Sequence, residues 1–183
     1  LLPNYDVFDE YRYFESAFEQ EIIYFKNHKI AVTICEDIWD IDDNPMYKYR
    51  PLDKLIDQEP ELIINISASP FSYTHATNRA TILKRNALKY IYCNTWGAHT
   101  SLIFDGGSMA MNANGDLIKQ MPFFEEALDS VEWTGGKLFE SSEIVKKSDE
   151  IDYEFANPIL FDPEWNIKGI YDALITGIQE YFR

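Results

Sequence analysis

Cys35 is the residue in this chain whose type and setting point most directly to chemistry. It sits where the apolar run Ile30-Ala31-Val32-Thr33-Ile34 stops and the polar turn Cys35-Glu36-Asp37 begins. The end of a buried strand is where α/β enzymes expose nucleophiles. The plainer reading is a small hydrophobe that closes a strand. Two adjacent carboxylates, Glu36 and Asp37, disfavour a thiolate. A working nucleophile here therefore needs a cation and a base brought by the fold, and the local sequence supplies neither. Cys93, inside Ile91-Tyr92-Cys93-Asn94, reads as core. Two cysteines make no disulfide framework and cannot form a tetrahedral zinc site alone. His28, His75 and His99 show no metal-ligand spacing and no pairing with a cysteine. Phe104-Asp105-Gly106-Gly107-Ser108 could cradle a phosphate, but two glycines between strands more often make a hairpin. A dinucleotide fingerprint and a P-loop are both lacking.

The elements that must position Cys35 follow from the apolar pattern. Residues 1–20 read as irregular. Residues 21–24 and 30–34 read as a hairpin turning at Asn27-His28, its second strand apolar on both faces and so expected inside a layered sheet. Residues 40–49 form a polar loop, and 51–57 a short helix opening on proline. Leu62-Ile63-Ile64-Asn65-Ile66 is a second buried strand. Ala76, Ala80, Leu83, Ala87 and Tyr90 recur every three or four residues, predicting an amphipathic helix from 75 to 90 with Thr74 as N-cap. Residues 91–94 are the next strand. This alternation of strand and helix implies an α/β fold with crossover connections. Short strands then follow at 101–104, 108–111, 117–121 and 127–133, joined by turn-rich segments. Ile167, Ile170, Leu174, Ile178 and Tyr181 make a final helical stripe, read as the first element of another domain.

Composition narrows the classes. The chain has 183 residues, 46% of them hydrophobic, with 12 Tyr, 12 Phe and 4 Trp, enough for a real core. Its net charge of −15 argues against broad contact with a phosphate backbone, so no nucleic-acid partner is expected. No apolar run reaches the ~18 residues of a membrane helix, and the N-terminus lacks the basic region of a signal peptide. A reduced, cytoplasmic setting is expected. The chain does not begin with Met and reads as a piece of something longer. Residues 61–100 hold one acid and four bases, Arg79, Lys84, Arg85 and Lys89, against a strongly acidic remainder. These bases read either as a solvated helix face or as a surface turned to an anionic group.

Several segments together resemble one family. Leu2-Pro3-Asn4-Tyr5-Asp6-Val7-Phe8-Asp9-Glu10 with Arg12-Tyr13-Phe14 is similar to the stretch after the catalytic lysine in the glutaminase domain of glutamine-dependent NAD synthetases. Ile34-Cys35-Glu36-Asp37-Ile38-Trp39 resembles that family's nucleophile motif. Asn65-Ile66-Ser67-Ala68-Ser69-Pro70-Phe71, Cys93-Asn94 and Leu102-Ile103-Phe104-Asp105-Gly106-Gly107-Ser108 fall in family order and spacing. The last helix resembles the one before the pyrophosphate-binding loop of the synthetase domain.

The resemblance implies a nitrilase-type α-β-β-α sandwich, truncated on its N-terminal side. Residues 1–133 would be the C-terminal part of the glutaminase (carbon–nitrogen hydrolase) domain, 134–162 a linker, and 163–183 the first helix of a synthetase domain. It also implies a Glu–Lys–Cys triad in which Cys35 forms a glutamyl thioester, with the glutamate and lysine lying before Leu1. The backbone N–H of Glu36 would complete the oxyanion hole. Tyr5 and Ser69 match glutamine-binding positions, and Phe8 would line the pocket. The family often has Lys or Arg where this chain has His75. A neutral imidazole grips a carboxylate less well than a permanent cation, and Arg79, one helical turn on, could compensate. No metal or cofactor is expected in these residues; ATP and magnesium belong to the synthetase domain. The expected partners are glutamine and that domain, and the full enzyme is expected to be a homo-oligomer. Two other functions fit the same residues: a stand-alone amidohydrolase of the nitrilase superfamily, and a non-catalytic interaction module.

Overall fold

The structure is a computed structural model that describes residues 1–4, 8–39, 50–73, 75–85, 88–134, 136–140 and 163–183. In chain order the strands are β1 (Ile23–Phe25), β2 (His28–Ile34), β3 (Leu62–Ser67), β4 (Tyr90–Asn94), β5 (Trp96–His99), β6 (Leu102–Asp105), β7 (Met109–Met111), β8 (Leu117–Gln120), β9 (Val131–Thr134) and β10 (Lys137–Glu140). The helices are α1 (Pro51–Ile56), α2 (His75–Arg85) and α3 (Pro163–Tyr181). Six strands form one sheet in the order β1-β2-β3-β4-β7-β8, while β5–β6 and β9–β10 are separate antiparallel hairpins. The three central strands β2, β3 and β4 run parallel, with Val32 beside Ile64 and Ile64 beside Ile91. Parallel neighbours need crossover connections, and α1 and α2 supply them. The expected α/β architecture is therefore present. The polar loop read at 40–49 and the N-cap read at Thr74 lie outside the described residues.

Local sequence accounts for the joints. Lys26 and Asn27 take φ values of 48° and 66°, the two successive positive angles of a tight hairpin turn. The turn is thus one residue earlier than the sequence suggested, and His28 opens β2, its ring stacked on Trp133 at 4.3 Å. Pro51 begins α1, where its missing N–H costs nothing. The Asp105-Gly106-Gly107-Ser108 segment is not a hairpin turn. It carries the chain from β6, paired only with β5, back into the main sheet at β7. Gly107 sits there at φ 65° against the Phe123 ring, where a Cβ would clash.

The main sheet has two unlike faces. On one, Ala31, Ile63, Tyr90, Tyr92, Met109 and Met111 pack under Leu52 and Leu55 of α1 and Ala80 and Leu83 of α2. On the other, Leu62 and Ala110 pack with Leu138 of the β9–β10 hairpin, backed by Ile64, Ile91 and Trp133. That hairpin includes residues 137–140, part of the stretch read as a linker. Beyond its reach the second face is open. Val32, Ile34 and Ile66 are 41%, 67% and 56% exposed, and Cys93 is exposed with them. Within this segment alone, β2 and Cys93, read as buried, are uncovered on this side.

Helix α3 lies against the β5–β6 hairpin through its small and polar side. Asn166, Ala173 and Thr176 are buried, Gly177 meets Ile103, and Asn166 donates to the Tyr73 carbonyl at 2.6 Å. The apolar stripe read from the sequence points the other way. Ile167, Leu174, Ile178 and Tyr181 are all exposed.

Candidate active site

Cys35 follows β2 and begins a short 3-10 turn, Cys35–Ile38, at φ +36°. A side chain in that region carries strain of the order of 1–3 kcal/mol, tolerated where the surroundings impose it. The turn is held from both sides. The Ile34 N–H donates to Asp37 Oδ2 at 3.0 Å, and the Trp39 N–H donates to the Glu36 carbonyl at 3.1 Å. The backbone nitrogen of Leu1 lies against Asp37, which places the start of the described chain beside the turn. Glu36 is buried, 7% exposed.

Beneath the sulfur the sheet becomes polar. Thr33, Asn65 and Ser67 replace apolar residues on the helix-covered face, and each is buried. Asn65 Nδ2 donates to Thr33 Oγ1 at 2.9 Å, and Ser67 Oγ donates to Asn65 Oδ1 at 2.6 Å. Burial pushes the Cys35 thiol above its ordinary pKa. The Ser67 hydroxyl facing the sulfur pulls it down, Glu36 pushes it up, the Ala68 N–H pulls it down, and Asp37 pushes it up. Tyr92, also fully buried, stands beside Ser67, Arg79 and Cys35, and burial raises its phenol. Its hydroxyl makes no hydrogen bond of good geometry with any of them.

Ser69 is buried near the end of β3, its N–H bonded to Asn94 Oδ1 at 2.9 Å. His75 opens α2. Its Nδ1 is 2.8 Å from the Pro70 carbonyl, and its ring lies 5.6 Å from that of Trp39, four residues after Cys35. The C-terminal end of the parallel strands thus gathers Cys35, Glu36, Ser69 and His75. Tyr5 lies outside the described residues, and Phe8 is half-buried with contacts of its own.

Arg79 requires a correction. It is 1% exposed, and both its terminal nitrogens are held by Asp105, Nη1 to Oδ1 at 2.9 Å and Nη2 to Oδ2. Burial opposes the guanidinium charge, and Asp105 outweighs it, so its pKa stays above the ordinary value. A neutralised, enclosed guanidinium neither belongs to a solvated face nor offers a free cation to a substrate carboxylate. Lys84 and Arg85 are exposed.

Sequence reasoning missed Ser67, Ala68, Asn94 and Asp105. The signal that could have found the first and third was polar residues at the C-terminal ends of otherwise apolar strands. A cavity of about 210 Å³ also exists, lined by Ile91, Cys93, Ala110 and Val131 among others. Cys35 does not line it.

The raised thiol has a direct consequence. The thiolate is the reactive species, so a higher pKa leaves less of it at neutral pH. In the 183-residue chain, Cys35 is expected to alkylate with iodoacetamide more slowly than free cysteine at pH 7. Its rate should climb only above the ordinary thiol range. Peptide-resolved alkylation across pH checks this, and a rate at pH 7 above that of free cysteine would refute the electrostatic picture.

Comparison with known proteins settles the family. The chain is 44% identical, over 99% of its length, to the glutamine-dependent NAD(+) synthetase of Synechocystis sp., and 33% identical over its full length to that of Thermotoga maritima. The chain belongs to the glutamine-dependent NAD(+) synthetase family. It spans 31% and 34% of those two relatives, about a third of each. A solved glutamine-dependent NAD+ synthetase from Acinetobacter baumannii, in complex with ADP, superposes with a TM-score of 0.75 at 28% identity, covering 99% of this chain and 31% of that one. A carbon–nitrogen hydrolase from Helicobacter pylori shares the fold, with a TM-score of 0.55 at 20% identity over 69% of this chain and 47% of that one. The fold of this synthetase segment is thus of the nitrilase, or carbon–nitrogen hydrolase, type. No protein-family model matches the chain.

Proposed function

We propose that this segment carries the glutamine-hydrolysing nucleophile of a glutamine-dependent NAD synthetase. The observation that carries the reading is Cys35 itself, in a strained left-handed conformation at the end of a central parallel strand. Its sulfur attacks the side-chain amide carbon of glutamine, and the C–N bond breaks to release ammonia and leave a glutamyl thioester. Water then cleaves the C–S bond, giving glutamate and restoring the thiol. The Glu36 N–H, next after the nucleophile, donates to the developing oxyanion. Ser69, Tyr5 and Phe8 bind the substrate, and His75 at the start of α2 holds its α-carboxylate.

The base and the cation that this chemistry needs are a glutamate and a lysine preceding Leu1. The start of the chain lies against the nucleophile turn, which supports the lysine standing just before Leu1. The lysine charge offsets Glu36 and Asp37 and lowers the Cys35 thiol from the raised value it has here. The ammonia amidates deamido-NAD to NAD in the synthetase part of the protein. ATP and magnesium act there, and no step through them falls to these residues. The match to synthetases over essentially the whole chain, α3 included, weighs against a stand-alone amidohydrolase.

Two preparations test the proposal. The full-length protein should form glutamate from glutamine and convert deamido-NAD to NAD with ATP. The 183-residue chain alone, lacking base and lysine, should release no glutamate. Glutamine hydrolysis by the isolated segment would place the catalytic groups elsewhere.

A further inference from the structure

The loop from β3 to α2 carries two groups that grip glutamine in the reading above, Ser69 near its start and His75 at its end. The loop is closed on itself at the His75 end. His75 Nδ1 lies 2.8 Å from the Pro70 carbonyl, and the His75 N–H donates to the Ser72 carbonyl at 3.1 Å. Its middle is held from outside. The Phe71 N–H donates to the Ile103 carbonyl of β6 at 2.7 Å, and the Phe71 ring packs edge-on to Phe124 with centroids 5.4 Å apart. The same ring lies against α3 at Gly169, where a Cβ would meet Phe71 Cε2 at 3.6 Å. One turn earlier on α3, Asn166 is buried at 5% exposure and donates from Nδ2 to the Tyr73 carbonyl at 2.6 Å, across 93 positions of sequence. Two turns beyond Gly169, Gly177 makes a similar close approach to Ile103, the residue that holds Phe71. Loop, hairpin and helix thus close on one another.

We propose that Asn166 is a positioning residue for glutamine, which from α3 sets the loop that presents Ser69 and His75, a role that rests on the glutamine chemistry proposed above. An irregular loop keeps one geometry only where its backbone groups are held. Ser69 is held from the sheet side, its N–H bonded to Asn94 Oδ1 at 2.9 Å. The other end of the loop is held from α3, through the Tyr73 carbonyl. A hydrogen bond from a buried side chain on a helix fixes direction as well as distance, which the apolar contact at Phe71 does not. The spacing of Ser69 and His75 decides whether one glutamine can touch both while its side-chain amide reaches Cys35. Neither contact involves the reacting carbon, so both are made alike in the ground state and the transition state. Loosening them raises KM and leaves kcat.

In the full-length protein, Asn166→Ala should raise the KM for glutamine about three- to tenfold, the range that one net hydrogen bond commands. The kcat with glutamine and ammonia-dependent NAD synthesis should hold. Peptides covering Phe71 to His75 should exchange their amide hydrogens faster than in the wild type. Asn166→Ser, which keeps a donor of shorter reach, should give a smaller rise in KM. Gly169→Leu drives a larger side chain into the Phe71 ring and leaves Asn166 in place. It should raise the same KM, and it serves if Asn166→Ala does not fold. Unchanged hydrogen exchange, or an unchanged KM beside faster exchange, would overturn the proposal. An equal loss of the ammonia-dependent reaction would mean a purely structural role and would overturn it too. Undiminished glutamine use by Cys35→Ala would instead sink the functional reading, and would leave the exchange result standing.

Discussion

In the full-length synthetase, Cys35→Ala is expected to abolish glutamine-dependent NAD formation, a loss on the order of 10⁴-fold or more, as when a covalent nucleophile is removed. Ammonia-dependent formation should persist at the wild-type rate. The split follows from the chemistry proposed above, in which Cys35 would make and break bonds only with glutamine and free ammonia would bypass that step. Alanine also removes the sulfur without altering the hydrogen bonds that hold the turn, which come from the Ile34 and Trp39 amides and the Asp37 carboxylate. The two rates, measured side by side with saturating glutamine or ammonium, decide the matter. Loss of both activities would mean that Cys35 supports the whole fold, and loss of neither would mean that the nucleophile is another residue.

The second large effect concerns the Asp105–Arg79 pair. Asp105→Ala should destabilise the domain by about 3–5 kcal/mol, because it leaves a guanidinium buried with no counter-charge. The cost is high here because the surroundings offer no exit to solvent. Arg79 is 1% exposed, and its Nε already lacks a hydrogen-bond partner. Replacing both partners together, as Arg79→Met with Asp105→Leu, should recover most of that loss. Two apolar side chains of similar volume avoid the desolvation that a lone charge cannot. Urea denaturation of the full-length protein, followed by exposure of Cys35 to a thiol reagent, gives the comparison. A double variant no more stable than Asp105→Ala would show that packing, not charge pairing, dominates at this place.

The parallel centre of the sheet was legible in the sequence because β2 and β3 are short runs of β-branched residues bounded by polar turns. The helical spacing of Ala80 and Leu83 likewise gave the core face of α2. The role of Arg79 was not legible, since its partner lies 26 positions away, at the end of a strand that pairs with neither β3 nor β4. Hydrophobic pattern marks more surface as buried than this segment covers by itself. Ile34 and Ile66 look like core residues, and within this segment the β9–β10 hairpin covers only the other half of their face. The apolar stripe on α3, expected to belong to a further domain, stays exposed within this segment, and the helix docks through Gly169, Ala173 and Gly177, whose lack of bulk permits a close approach. Strands β5 and β10, four residues each, are too short to stand out from their turns. The motif around Cys35 pointed to the nucleophile. Its positive φ, which no residue type announces, came only with the structure.

The covalent intermediate is the most direct test of the role given to Cys35. Full-length protein turning over glutamine would be quenched in acid and digested, and its peptides weighed. A glutamyl group should appear on the peptide that contains Cys35, should be released by mild base as a thioester is, and should vanish in Cys35→Ala. A glutamyl adduct on any other residue, or hydrolysis at full rate with Cys35 unmodified throughout, would contradict the assignment.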